Sequence, residues 1–128
     1  MNLLLDTCAL IALACGKLTP RARQALLAAP EANLSPVTVW ELAIKVKSGK
    51  LKLPDPPVVW VEQLVVRHGL FLLVSDLKPA LLCTAADLPL IHRDPFDRVL
   101  VATALARHLT ILTSDELIPT YPGIKTLW

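Results

Sequence analysis

Asn2-Leu3-Leu4-Leu5-Asp6-Thr7 is the segment on which the reading of the fold turns. Asn2 to Leu5 is a short apolar run, the pattern of a buried strand. Asp6-Thr7 then opens a helix that runs to about Cys15, with Gly16 as its stop. The same succession of apolar run, polar cap and helical stretch returns along the chain. Thr19-Pro20 has the form of an N-cap and first helical residue, and that helix reaches about Ala29 with Leu26 and Leu27 on its apolar face. Ala32 to Leu34 is a brief strand. Ser35-Pro36 starts a helix by the same cap chemistry, carrying Val39, Trp40, Ala43, Ile44 and Val46 before Gly49 ends it.

Pro54, Pro56 and Pro57 form a stiff linker. Val58 to Arg67 alternates like an amphipathic helix that Gly69 terminates. Leu70 to Val74 is a third strand, continuously apolar as a strand covered on both faces should be. Lys78 to about Ala86 is helical and Leu88 to Arg93 is loop. Asp94-Pro95 opens a long helix to about Arg107, Leu109 to Leu112 is a fourth strand, Ser114-Asp115 starts a short helix, and Ile124 to Leu127 is a fifth, edge strand. Alternating strands and helices predict an α/β fold. The expected form is a three-layer α/β/α sandwich around a mainly parallel sheet of four to five strands, in one domain spanning residues 1–128.

The totals agree with a folded domain. Of 128 residues, 54% are apolar and 19% charged, which excludes disorder and suggests apolar surface covered by a partner or a second copy. A net charge of +2 is too small to predict nucleic-acid binding, although Lys45, Lys47, Lys50 and Lys52 form a short basic run. Cys8, Cys15 and Cys83 are odd in number and lack metal-ligand spacing. Cys8 and Cys15, two helical turns apart, are expected to pack in the core. No disulfide framework is implied, in keeping with a reducing cytosol. The N-terminus lacks a basic leader and Asp6 interrupts its apolar run, so neither a signal peptide nor a spanning helix is expected.

The chain has only 11 acidic residues, and Asp6, Glu41, Asp94, Asp97 and Asp115 all fall just after strand-like runs or in the first turns of the following helices. Each has a purely structural explanation. Asp6, Asp94 and Asp115 suit helix caps, Asp97 suits the positive end of its helix, and Glu41 can pair with Lys45 one turn on. Together these explanations require independent accidents at several strand ends. In a parallel sheet, ligands bind beyond the carboxyl ends of the strands, and the five acids lie there or on the helices leaving there. Asp94 and Asp97, three apart, share a helix face. Crowded carboxylates repel one another, and a hard divalent cation is the usual remedy. With only oxygen donors, the expected ion is Mg²⁺ or Mn²⁺, and the expected chemistry is phosphoryl hydrolysis by a water that the cation makes nucleophilic.

At these residues the chain resembles the PIN-domain ribonucleases, and more narrowly the VapC-type toxins of bacterial toxin–antitoxin pairs. The matching segments are Leu3 to Thr7, Ser35 to Lys45, His92 to Arg98 and Leu112 to Glu116. The resemblance implies Asp6, Glu41, Asp97 and Asp115 as catalytic, metal-binding carboxylates, with Asp94 as a further candidate ligand. It also implies Mg²⁺- or Mn²⁺-dependent endoribonuclease activity, leaving a 5′-phosphate and a 3′-hydroxyl on an RNA such as tRNA or rRNA. A cognate antitoxin, a homodimer and a cytoplasmic location with no membrane partner complete the implied picture.

Around the acids, Thr7 and Thr113 could hydrogen-bond a carboxylate or a water, and Lys45, Arg93 and Arg98 could contact phosphates. His92 could donate a proton, though a loop histidine is more often simply exposed. His108 suits a helix C-terminus and needs no further role. Trp40, Trp60 and Trp128 could stack bases, with Trp40 better read as core or dimer contact. Competing functions are a DNA-directed nuclease of the same fold, a phosphoacceptor receiver domain, a dehalogenase-type phosphatase and a non-catalytic binding module. The receiver leaves Glu41, Asp94 and Asp97 unexplained, and the phosphatase would need Asp where Cys8 stands. Against an inactive module, every expected acid is present.

Overall fold

The computed structural model covers residues 1–128. Five strands, β1 (Leu3–Leu5), β2 (Ala32–Leu34), β3 (Phe71–Leu72), β4 (Thr110–Leu112) and β5 (Lys125–Leu127), form one sheet in the order β3-β2-β1-β4-β5. All four pairings are parallel. The helices are α1 (Thr7–Ala14), α2 (Pro20–Ala28), α3 (Pro36–Lys47), α4 (Pro57–His68), α5 (Pro79–Asp87) and α6 (Pro95–Arg107). This is the α/β/α sandwich the alternation predicts. No helix is long and apolar enough to cross a membrane.

The central strand explains the layering. Leu3, Leu4 and Leu5 are wholly buried, and because side chains alternate across a strand they feed opposite faces. Leu3 and Leu5 join a core with Ala9, Leu10, Ala22, Trp60 and Leu64, from α1, α2 and α4. Leu4 joins Ala85, Val99, Leu100 and Ile111 in a second core beneath α5 and α6. Helix α3 serves both, placing Leu42 in the first and Val37 in the second. Side-chain caps start the helices where the sequence places them. Asp6 accepts from the Ala9 N–H at 2.7 Å, Thr19 from Ala22 at 3.0 Å, Ser35 from Val37 at 3.3 Å and Asp94 from Phe96 at 2.9 Å.

Several local expectations are corrected. The third strand is two residues long and lies at the sheet edge, with Phe71 and Val74 exposed, followed by a 3-10 turn at Val74–Asp76. An apolar run signals burial on both faces only when strands flank it on both sides, and β3 has one neighbour. Asp115 starts no helix at once; a 3-10 turn follows at Ile118–Thr120. Cys8, Cys15 and Cys83 are all exposed, as is Leu27. On α3 the buried face is Val37, Thr38, Glu41 and Leu42, so Trp40 and Ile44 face outward. Trp40 meets Phe96 edge to face at 5.1 Å. Trp60 is buried in the first core and has no face free to stack a base.

Leu4→Ala should lose about 2–5 kcal/mol of unfolding free energy in a urea titration, the usual cost of a cavity at a fully buried leucine. A loss below 1 kcal/mol would mean that the two layers meet elsewhere.

Candidate metal centre at the carboxyl edge of the sheet

Strand β1 has β2 on one side and β4 on the other, so the chain reverses direction across the sheet between β1 and β4. The loops leaving these two strands diverge and open the crevice where parallel sheets bind ligands. Asp6 is the first residue after β1, and Thr113 and Asp115 follow β4. Helix α3, entered from β2, brings Glu41, and the first turn of α6 brings Asp97.

Hydrogen bonds tie these acids to one another's neighbours. Asp6 is 3% exposed; its Oδ1 caps α1, and its Oδ2 accepts a close hydrogen bond from the Thr113 hydroxyl. Thr113 Oγ1 in turn accepts the Asp115 N–H at 3.0 Å. Thr7 donates to Glu41 Oε1 at 2.5 Å, and Lys45 Nζ lies 2.7 Å from Glu41 Oε2. Asp115 Oδ1 accepts the N–H groups of Leu117 and Ile118, leaving Oδ2 free for other partners. His92 Nε2 lies 3.0 Å from Asp97 Oδ2 and 3.1 Å from Asp115 Oδ2. One ligand-type atom from each of His92, Asp97 and Asp115 lies within 4.8 Å of the others.

The crowding shows in the electrostatics. Burial pushes the Asp97 carboxyl up to about 7, repulsion from Asp94, Glu41 and Asp6 adds to this, and His92 opposes it. Asp6 is also raised, by burial first and then by Asp115 and Glu41, against the hydrogen bonds from Thr113 and Ala9. At Asp115 burial acts upward too, but the Ile118 and Leu117 amides and the His92 ring together hold it below the usual carboxylate range. The hydrogen bond to Glu41 holds the Lys45 ammonium above its ordinary value. Mutual repulsion among buried carboxylates is the condition a hard cation relieves. The carboxyl oxygens of Asp6, Glu41, Asp97 and Asp115 are hard donors of the kind that could hold a divalent cation.

The other candidates divide. Thr7 and Thr113 lie within the cluster as carboxylate donors. Asp94 caps α6 through Oδ1, and its charge reaches Asp97. Arg93 is exposed and Lys45 is held by Glu41. Arg98 is a correction. Its guanidinium donates to the carbonyls of Ala86, Leu88 and Pro89 at 2.8–3.0 Å, and the residue is 8% exposed. It staples the loop between α5 and α6 and is not available to a phosphate. That loop carries His92, the residue the sequence reading undervalued: its backbone N–H reaches the Tyr121 hydroxyl at 2.9 Å and its ring enters the cluster. The available signal was its position two residues before Asp94 in the segment that supplies Asp97.

Two outcomes follow. Between about pH 4 and 7, Asp97 is protonated in the fold and ionised in the unfolded chain, so its contribution to stability falls as pH rises through that window. In a chelator, Asp97→Asn should therefore melt roughly 5 °C or more above the parent at pH 8, with the gap closing toward pH 4. An equal or lower Tm at pH 8 would contradict the burial penalty. Arg98→Ala should destabilise by at least about 2–3 kcal/mol in urea unfolding, because several carbonyls lose a charged donor. An unchanged midpoint would remove its role as staple.

The PIN domain family model matches residues 3–123. The fold is similar to a chain of DNA-bound VapBC from Salmonella typhimurium, with a TM-score of 0.71 and 20% identity over 99% of this chain and 97% of that one. It is similar also to a chain of VapBC2 from Rickettsia felis bound to a promoter DNA fragment, with a TM-score of 0.66 and 15% identity over 100% and 99% of the two chains. A chain of FitAcB from Neisseria gonorrhoeae gives 0.60 and 19% over 98% and 96%. A comparison with curated protein sequences gives no match. With the family pattern spanning nearly its whole length, and an acidic cluster at the switch point of a parallel sheet, the chain belongs to the PIN-domain family.

Proposed function

We propose that this PIN domain is a Mg²⁺- or Mn²⁺-dependent endoribonuclease, the VapC-type toxin of a toxin–antitoxin pair acting in the cytoplasm. PIN domains are typically nucleases. The observation that supports the reading is the run of contacts at the β1/β4 crevice: Thr113 bonds both Asp6 and the Asp115 amide, the His92 ring lies against Asp115 and Asp97, and Glu41 is held by Thr7, the residue after Asp6. A bound divalent cation would supply Lewis-acid polarisation of a phosphate and a water acidic enough to attack at neutral pH. Asp6, Glu41, Asp97 and Asp115 would hold it, with Asp94 as a further carboxylate nearby.

The remaining residues prepare that site. Thr7 and Thr113 orient Glu41 and Asp6 through hydroxyl donors. Lys45, 40% exposed at its side chain, can exchange Glu41 for a substrate phosphate, and exposed Arg93 offers a second cation. Lys47 at the end of α3, with Lys50 and Lys52 just beyond it, would add to the general attraction for a polyanion. The neighbours from VapBC and FitAcB assemblies support a cognate antitoxin as partner. The outward apolar side chains of Trp40 and Ile44 on α3 suit a homodimer contact.

The test is incubation of the purified protein with tRNA, rRNA and DNA in Mn²⁺, Mg²⁺ or chelator. RNA should be cut only with the cation. Asp6→Asn should slow cutting by at least ~100-fold, since loss of a ligand costs no less than loss of an outer partner. Cleavage of DNA alone would overturn the substrate assignment, and an Asp6→Asn protein as fast as the parent would overturn the site.

A further inference from the structure

His92 has no part in the chemistry assigned above, yet its ring is among the best-anchored groups of the crevice. By atom type alone, Nε2 with the Oδ2 atoms of Asp97 and Asp115 would pass for a three-ligand cation site. The polarity of the hydrogen bonds excludes that role. The Asp94 backbone N–H approaches Nδ1 at 3.1 Å. A backbone amide can only donate, so Nδ1 presents a lone pair, and the proton of the neutral ring is on Nε2. A protonated Nε2 has no lone pair to give a metal. It is a donor: it hydrogen-bonds Asp115 Oδ2 at 3.1 Å, and Asp97 Oδ2 stands beside it at 3.0 Å as a close polar contact.

Those two oxygens are the ones that need placing. The Asp97 carboxyl has the His92 ring as its one close polar partner, and Asp115 has its Oδ1 engaged by Leu117 and Ile118, so Oδ2 is its free atom. Asp97 comes from α6 and Asp115 from the loop after β4, and the imidazole is the group that joins them. The ring is held from behind. The His92 N–H is bonded to Tyr121 Oη, and Arg98 fastens the preceding carbonyls of the loop. A carboxylate oxygen has two lone pairs, so Asp115 Oδ2 can accept the N–H and still face a cation, as can the Asp97 Oδ2 beside it.

We propose that His92 is a positioning residue of the centre and not one of its ligands: its Nε2–H holds Asp115 Oδ2 by a hydrogen bond while the ring stands against Asp97 Oδ2, so that both oxygens face a shared cation. The proposal rests on the cation reading of the cluster given above. Outer donors of this kind typically change metal affinity by 10–100-fold.

The tautomer is read directly by long-range ¹H–¹⁵N NMR of the labelled full chain, with the His92→Gln spectrum identifying the His92 signals among the three histidines. Nε2 should be protonated and Nδ1 bare, both before and after addition of Mg²⁺. Mn²⁺ titration calorimetry supplies the second readout. His92→Ala should weaken binding about 10–100-fold, and His92→Gln, which keeps an N–H donor, should restore most of the loss. A proton on Nδ1 overturns the proposal, as does unchanged affinity in His92→Ala or equal weakening by Ala and Gln. If the variants fail to fold, the tautomer of the parent decides. A parent that binds no Mn²⁺ overturns the cation reading as well, whereas normal binding with the proton on Nδ1 overturns this proposal alone.

Discussion

Carboxylates held together out of water are the constraint around which this domain is arranged. Asp6 and Glu41 are 3% and 5% exposed, and burial, with the neighbouring acids adding to it, pushes the Asp97 carboxyl up to about 7. Left to themselves, such groups would repel or protonate. The chain offsets this with directed donors, namely Thr113 and the Ala9 amide on Asp6, Thr7 and Lys45 on Glu41, and His92 on Asp115 with its ring 3.0 Å from Asp97. Those donors require β1 and β4 to be neighbours in register, Leu5 opposite Leu112, so that the residues after each strand meet. The two apolar cores hold that pairing by burying the central leucines on both faces.

A structural use and the proposed cation-binding use coexist in one residue here. Asp6 caps α1 with one oxygen and turns the other into the crevice. Asp115 divides its oxygens in the same way between two backbone amides and His92. Glu41 forms the expected i,i+4 pair with Lys45, yet it is buried, so the pair lies at the rim of the site instead of on a solvated face. A carboxylate has two oxygens and several lone pairs, and capping uses only one of them. For these residues, then, the cap explanation and the site explanation were never true alternatives.

Arg98 and His92 show the opposite case, in which neighbours in sequence have roles fixed by remote contacts. An arginine beside an acidic motif suggests phosphate binding, but the fold buries it among carbonyls of the α5–α6 loop. A loop histidine suggests a solvated group, but Tyr121, 29 residues on, fixes its backbone and the acids engage its ring. The arginine holds the loop and the loop presents the histidine, so the two act on the crevice through one support.

Strand and helix placement was legible because it rests on local chemistry: Asp6, Thr19, Ser35 and Asp94 are caps that declare themselves by residue type, and the apolar runs after them have the right period. The outward turn of Trp40, Ile44, Cys8 and Leu27 was not legible, since apolar character does not say which face of a helix finds a neighbour. Nor was the edge position of β3, which depends on strand order. By itself the sequence determined the alternation of elements and the identity of the acids at their junctions, because caps and periodicity act over a few residues. Only the tertiary structure decided which oxygens are free, that Arg98 is a staple and that His92 joins the cluster, because these follow from hydrogen bonds between groups far apart along the chain.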